Sequence, residues 1–222
     1  MFVKQLQLGP MQNFVYLIGD EATKECMVVD PAWDIDAIQK ALTEAGLTLK
    51  GALITHYHPD HCGGHLWGHD IPGVAELVGT SPVPVYCDKH ECDGIQAITG
   101  LARTDLRPLS SGDLIQVGGV SIRAIHTPGH TPGSQCFLVG NSLVAGDTLF
   151  LSGCGRVDLP GSDPEQMYQS LNTLKKLPPD TILYPGHNYG PKPQAAMAEV
   201  VKINPYLNVP SMEDWRGMMG AR

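Results

Sequence analysis

The chain has 222 residues, 42% of them hydrophobic, with 23 Asp+Glu against 15 Lys+Arg and a formal net charge of −8. That length supplies a sizeable core, and the composition excludes a disordered chain. No apolar run reaches the ~18 residues of a membrane span, and an acidic chain without a basic stripe is no phosphate-backbone binder. Nine His stand out beside 25 Gly and 18 Pro, a mix that predicts many turns and some use of imidazole.

Phe2–Leu8 and Asn13–Gly19 read as strands joined by a turn at Gly9-Pro10. Residues 26–30 (CMVVD) form a short buried strand that ends at an acid and Pro31. Asp34 caps a helix to Ala45, and Gly46 stops it. Residues 51–55 (GALIT) form another buried strand, which leads directly into HYHPDH. A helix is expected over 61–67, and a loop over 70–81 because of Pro72, Gly73, Gly79 and Pro82. A strand over 83–86 and a helix over 89–98 follow. Leu114–Val117 and residues 120–125 form a hairpin around Gly118-Gly119, and residues 136–139 and 143–145 form a second one. Asp163-Pro164 opens a helix to Leu177 in which Met167, Leu171, Leu174 and Leu177 recur at helical spacing. A strand over 181–184, a helix over 194–203 and a short helical piece over Met212–Met219 complete the chain.

Hairpins mixed with helical crossovers argue against a purely parallel sheet and for an α+β architecture of two mixed sheets covered by helices. No linker or repeat interrupts the chain, so residues 1–222 read as a single domain. No signal peptide is visible at the N-terminus. The six Cys include no C-x-x-C pair, and a chain of this size does not need disulfides. A cytoplasmic protein with reduced, mostly buried thiols is expected.

The strongest local signal is Thr55-His56-Tyr57-His58-Pro59-Asp60-His61. Three imidazoles and a carboxylate directly follow a strand, and Gly63-Gly64 lets the backbone fold back closely. Imidazole and carboxylate are the ligands that zinc, iron and manganese take at open catalytic sites. Three more ligand-type residues lie at strand ends beside Gly or Pro: His130 in TPGHTPGS, Asp147 after LVAG, and His187 in PGH. Together they supply five His and two Asp, enough for two metal ions at one end of the fold. Thr55, Asp30 and His126 are candidates for orienting the imidazoles.

This HxHxDH, PGH, GD, PGH series resembles the metallo-β-lactamase superfamily in order and spacing, over nearly the whole chain. The resemblance implies a four-layer αββα sandwich. It implies a first metal on His56, His58 and His130, a second on Asp60, His61 and His187, and Asp147 bridging them. Asp60 and Asp147 would thereby be catalytic as well as ligating. The cofactors would be two divalent ions, zinc first, with iron or manganese as alternatives, and hydrolysis would use a hydroxide bridging them.

Departures narrow the branch. Diiron oxygen-reducing members usually carry Glu where this chain has His58. True β-lactamases often differ at the His61 and Asp147 positions. Nucleic-acid-processing members usually carry an inserted domain, for which this chain has no room. The segments 153–158 (GCGRVD), 166–171 (QMYQSL) and 183–189 (LYPGHNY) resemble glyoxalase II, the hydroxyacylglutathione hydrolases, and also the persulfide dioxygenases. By that resemblance Arg156 and Tyr189 would bind a thiol-peptide substrate; each also reads as a plain structural residue. The helical C-terminal extension of typical glyoxalase II, a separate substrate-binding domain, is not recognisable here.

The reading that follows is a binuclear metal-dependent hydrolase of thioesters, with a small-molecule thioester or thiol-peptide as partner and neither nucleic acid nor membrane. A thiol leaving group has a pKa near ~8.5 and needs no strong general acid. The alternatives are a mononuclear iron persulfide dioxygenase on His56, His130 and Asp147, a lactone hydrolase, and a non-catalytic metal-binding scaffold. His65, His69 and His90 read as ordinary loop residues. Trp33, Trp67 and Trp215 fit either cleft or core, and the apolar stretch Met212–Met219 is a candidate contact with a neighbouring copy.

Overall fold

Every residue of the strand Asn13–Gly19 is buried. A strand wet on one face would alternate, so this one is covered on both sides. The computed structural model, which describes residues 1–220, shows what covers it. The first half of the chain contains β1 (Phe2–Leu8), β2 (Asn13–Gly19), β3 (Glu25–Val29), α1 (Ile35–Glu44), β4 (Thr48–Leu53) and α2 (Pro59–Cys62). It continues with β5 (Gly64–Leu66), β6 (His69–Ile71), α3 (Val74–Thr80), β7 (Val85–Asp88), α4 (Cys92–Thr99) and β8 (Leu106–Leu109). The second half contains β9 (Leu114–Val117), β10 (Val120–His126), β11 (Gln135–Val139), β12 (Ser142–Gly146) and α5 (Pro164–Leu174). It ends with β13 (Ile182–Pro185), β14 (Ala195–Ala196), α6 (Met197–Ile203) and α7 (Met212–Met219).

Two six-stranded mixed sheets result, ordered β1-β2-β3-β4-β7-β8 and β14-β13-β12-β11-β10-β9. Side-chain alternation divides the apolar residues into three cores. Val15 and Leu17 of β2, with Cys26 and Val28 of β3, face Ile38, Leu77 and Ile95 of α1, α3 and α4. Phe14, Tyr16 and Ile18, with Met27 and Val29, face Ile122, Phe137 and Val144 of the other sheet. Leu143, Ala145 and Leu183 on that sheet's far face pack on Met167, Leu171, Met197 and Trp215. The order is helix, sheet, sheet, helix, as the resemblance implies. Each fully buried Leu, Ile, Val or Phe contributes ~1.5–3 kcal/mol of transfer free energy, so both sheets depend on their helical covers.

The topology decides where the ligand-type residues fall. Strands β3, β4 and β7 run parallel, and so do β12 and β13. Strand β10 is antiparallel to β11, which is antiparallel to β12, so β10 also runs with β12. The chain therefore leaves β3, β4, β10, β12 and β13 at like-facing strand ends just before Asp30, His56, His130, Asp147 and His187. Polar groups join the sheets at this end: Gln135 donates from its backbone N to Thr55 O (2.9 Å) and from Nε2 to Ile54 O (2.8 Å). Phe14 N donates to Gly186 O at 2.7 Å, and Tyr16 Oη to Pro185 O at 2.5 Å.

Three expectations are corrected. The helix expected over 61–67 is instead the single turn α2 followed by the β5–β6 hairpin. Gly63, at φ +88, ends the turn where its Cα packs against Gly73, leaving no space for a side chain. Residues 70–81 are not all loop, because Glu76 accepts from Gly73 N at 2.7 Å and starts α3, whose Val74 and Leu77 are buried. Strand β8 was not expected at all: Pro108 interrupts its pattern, but β8 is an edge strand, where proline is tolerated. The stretch Met212–Met219 packs within this chain, with Trp215 fully buried and its Nε1 donating to Pro164 O at 2.6 Å. Among the described residues no helix is long and apolar enough to cross a membrane.

Candidate metal centre

The seven residues singled out in the sequence meet in one place. The ligand-type atoms of His56, His58 and His130 lie within 4.8 Å of one another, as do those of Asp60, His61 and His187. His56, His61 and Asp147 form a third such group, so Asp147 stands between the two sets. Asp147 Oδ2 is 3.4 Å from His187 Nε2 and 3.7 Å from His130 Nε2, and Oδ1 is 3.3 Å from His61 Nε2. Asp60 Oδ2 is 3.4 Å from both His61 Nε2 and His187 Nε2. Local backbone makes this crowding possible. A Cβ on Gly186 would stand 2.3 Å from Asp147 Oδ1, and one on Gly155 would stand 2.1 Å from Asp147 O.

Hydrogen bonds fix which ring nitrogen faces inward. His130 Nδ1 donates to Arg156 O (2.7 Å) and His187 Nδ1 to Met11 O (2.9 Å), and a carbonyl only accepts. Asp30 Oδ2 accepts from His61 Nδ1 (3.0 Å) and from Thr55 Oγ1 (2.6 Å). Thr55 has thus spent its one proton, so its Oγ1 accepts from His56 Nδ1 at 3.0 Å. Asp30 serves two imidazoles from a left-handed backbone at φ +52, a conformation Asp tolerates better than most residues. In all four rings Nε2 is the atom left facing the centre.

This arrangement fits a metal. His56 Nε2 and Asp147 Oδ1 are buried without a hydrogen-bond partner. The Nε2 atoms of His61 and His187 face each other at 3.2 Å, and His130 Nε2 faces His58 Nδ1 at 3.0 Å. Pairs of ring nitrogens directed at one another need a cation or a proton between them. Five nitrogens and two carboxylates are a donor set suited to zinc, iron or manganese.

The electrostatics agree. Burial, then His61, His58 and His130, hold His56 far below its ordinary value. Burial, then His130 and His61, push His58 down to about 4. On the other side burial opposes charge on His187, but Asp147 and Asp60 outweigh it and raise the group to about 9. Asp60 and Asp147 likewise raise His61 against its burial. Burial works against ionisation of both carboxylates, yet His61 and His187 hold them well below the usual range. Without metal, protons on His61 and His187 thus stand where a cation would.

Arg156 and Tyr189 both line the cleft above these residues. Tyr189 stacks on the His187 ring at 4.6 Å and 8°. The Arg156 guanidinium turns outward to Asp158, although its carbonyl holds His130. His126 does not orient any of the seven: its Nε2 bonds Pro132 O at 2.9 Å and its ring stacks on His90, beside Asp88. It ends β10 on the strand side of the loop, four residues before His130, and that loop carries the two rings apart. Trp33 belongs to neither cleft nor core but to the support, since its Nε1 donates to Asn13 Oδ1 at 2.9 Å.

Two supporting residues were missed in the sequence. Asn13 donates to Asp60 Oδ2 and to Asp60 O, both at 3.0 Å. Buried Glu91 accepts from Tyr57 N (2.6 Å), Gly133 N (2.6 Å) and Thr131 Oγ1 (2.9 Å), and so ties the loop of His56 to the loop of His130. Burial raises its carboxyl to about 7 even so. Neither residue has a local sequence signal, since one opens a strand and the other sits in a turn.

Two predictions follow from this geometry. Asn13→Ala frees one Asp60 oxygen, so chelator competition should read metal affinity about 10–100-fold weaker; unchanged affinity would contradict the role given to Asn13. A cation binds only unprotonated imidazole, so affinity should rise with pH until His187 loses its proton at about 9. Calorimetric zinc titrations at pH 7, in two buffers of different ionisation enthalpy, should therefore register net proton release; none would contradict the assignment.

Comparison with known proteins agrees with the fold. The family model of the metallo-β-lactamase superfamily matches residues 8–187. The chain is 36% identical over 203 residues to the probable polyketide biosynthesis zinc-dependent hydrolase BaeB of Bacillus velezensis, covering 90% of this chain and 84% of that one. It is 38% identical over 200 residues to a hydroxyacylglutathione hydrolase of Hahella chejuensis, covering 86% and 69% respectively. The crystal structure of ETHE1 from Myxococcus xanthus superposes with a TM-score of 0.82 at 29% identity, over 99% of this chain and 90% of that one. With the sandwich, the ligand-type constellation and the family match in agreement, the chain belongs to the metallo-β-lactamase superfamily.

Proposed function

We propose that the protein is a binuclear metal-dependent hydrolase of thioesters. The observation that carries this reading is a pair of separately tethered ligand sets at the floor of a cleft in which, among the described residues, Asp60 and Asp147 are the only carboxylates. His56, His58 and His130 would hold one cation, Asp60, His61 and His187 the other, and Asp147 would lie between them. Two divalent ions, zinc first, would supply Lewis acidity and a water of lowered pKa. The name of the Bacillus relative supports zinc, and that of the Hahella relative supports a thioester substrate.

The protein's own part is positioning. Asn13 holds one oxygen of Asp60, Asp30 and Thr55 fix the tautomers of His61 and His56, and carbonyls fix those of His130 and His187. Asp60 and Asp147 are held ionised, so neither offers a proton to a leaving group. These two carboxylates therefore suit a leaving group that needs no proton: a thiol departs as thiolate with a pKa near ~8.5, whereas an amine does not, and this favours a thioester over an amide.

The likeness to ETHE1 favours a second reading, a mononuclear iron persulfide dioxygenase on His56, His130 and Asp147. Asp60, His61 and His187 would then be retained without a second ion, their hydrogen bonds being those any buried polar group needs, so one iron per chain rather than two divalent ions would favour this reading.

Turnover of S-lactoylglutathione and other thioesters under zinc, iron and manganese tests the reading. Metal-dependent release of free thiol is expected. His56→Ala should lower kcat/KM by more than about 100-fold, beyond the loss typical of a residue that only supports a ligand. No metal-dependent turnover of any thioester would overturn it.

A further inference from the structure

The cleft above the ligand-type residues has a volume of about 810 Å³, within the range of small-molecule sites. Among the described residues lining it, the one charged side chain outside the seven is Arg156. Both its Nε and its Nη2 are taken by Asp158, at 2.9 and 2.8 Å. A glutathione arm brings two carboxylates, and this cleft offers them one side-chain cation, already paired with Asp158. The wall is apolar instead. Met11, Leu66, Trp67, Phe150 and Leu159 line it, and Phe150 packs on Tyr189, which stacks on His187.

Trp67 is unusual within that wall. It occupies the first position of the two-residue turn between β5 and β6, at φ +49, and Gly68 follows at φ +83. Such a turn favours Asn, Asp or Gly at both positions, and a bulky residue in the left-handed region is strained. Trp67 is also 77% exposed, so burial in a core does not compensate. A strained aromatic held in solvent at the rim of an active-site cleft is the pattern of a binding residue.

We propose that this apolar wall seats an extended apolar acyl chain, so that the substrate is a medium- or long-chain acyl thioester on an uncharged thiol arm. The proposal rests on the thioester reading above. Water adds OH to the acyl carbon and gives up a proton, the C–S bond breaks, and sulfur leaves with the electron pair as thiolate, which takes up that proton. The products are the fatty-type acid and the free thiol. The acyl chain lies along Trp67 and Leu159, with its carbonyl over Asp147. Burial on that wall, rather than ion pairing, supplies the selectivity.

The test is a series of S-acyl-N-acetylcysteamine thioesters, butyryl to octanoyl, with the metal-loaded protein. Burial of a methylene should raise kcat/KM about three- to fourfold per carbon. Trp67→Asn, which suits the turn, should reduce the octanoyl-to-butyryl ratio at least about fivefold, as loss of one face of the wall requires. Turnover with no dependence on chain length, or a preference for S-lactoylglutathione, would overturn this inference and leave the thioester reading intact. No turnover of any thioester would overturn that reading as well. A second readout needs no turnover: titration calorimetry should report tighter binding of octanoate than of butyrate, a difference lost in Trp67→Asn. Equal affinities would overturn the proposal.

Discussion

Five imidazoles and two carboxylates are packed into one largely buried space, and their mutual electrostatics constrain everything around them. Uncompensated charge in such a place is costly, and ring nitrogens directed at each other at 3.0–3.2 Å repel unless something positive lies between. The protein meets the constraint with geometry. Each outward ring nitrogen of His56, His61, His130 and His187 is committed to an acceptor, which leaves the inward nitrogen as the one that can offer a lone pair to a cation. Asp30 is central to this, because one carboxylate controls Thr55, His61 and, through Thr55, His56.

The fold exists in a form that makes this convergence possible. Like-facing strand ends in both sheets deliver Asp30, His56, His130, Asp147 and His187 to one edge of the sandwich. The sheets are bonded to each other there, through Gln135 to Thr55 and Phe14 to Gly186. Glu91 adds a buried tie between the two loops that carry His56 and His130. The ligand set is thus held by rigid elements, and the more variable features stand on the rim. Trp67 is on a hairpin, and Arg156 on an irregular loop.

Much of the site was legible in the sequence because metal-ligand chemistry uses few residue types and short motifs. HYHPDH, PGH, GD and PGH lie where strands end, and the structure brings all seven residues together. Thr55 and Asp30 were legible too, being ligand-orienting types at strand ends. His126 was misread, since a residue type at a strand end does not tell which way its ring turns. Asn13 and Glu91 were not legible, because each acts on a partner far away in the chain, and only the folded topology supplies that partner. The same limit applies to α3 and β8. Gly73 and Pro108 look like breakers in sequence, yet one begins a helix capped by Glu76 and the other sits on an open sheet edge.

The central claim is that both ligand sets are functional, so metal content decides it. Elemental analysis of protein purified without added metal should find two divalent ions per chain, and a His61→Ala variant should lose one of them. One iron per chain in the native protein, with His61→Ala unchanged, would contradict the account.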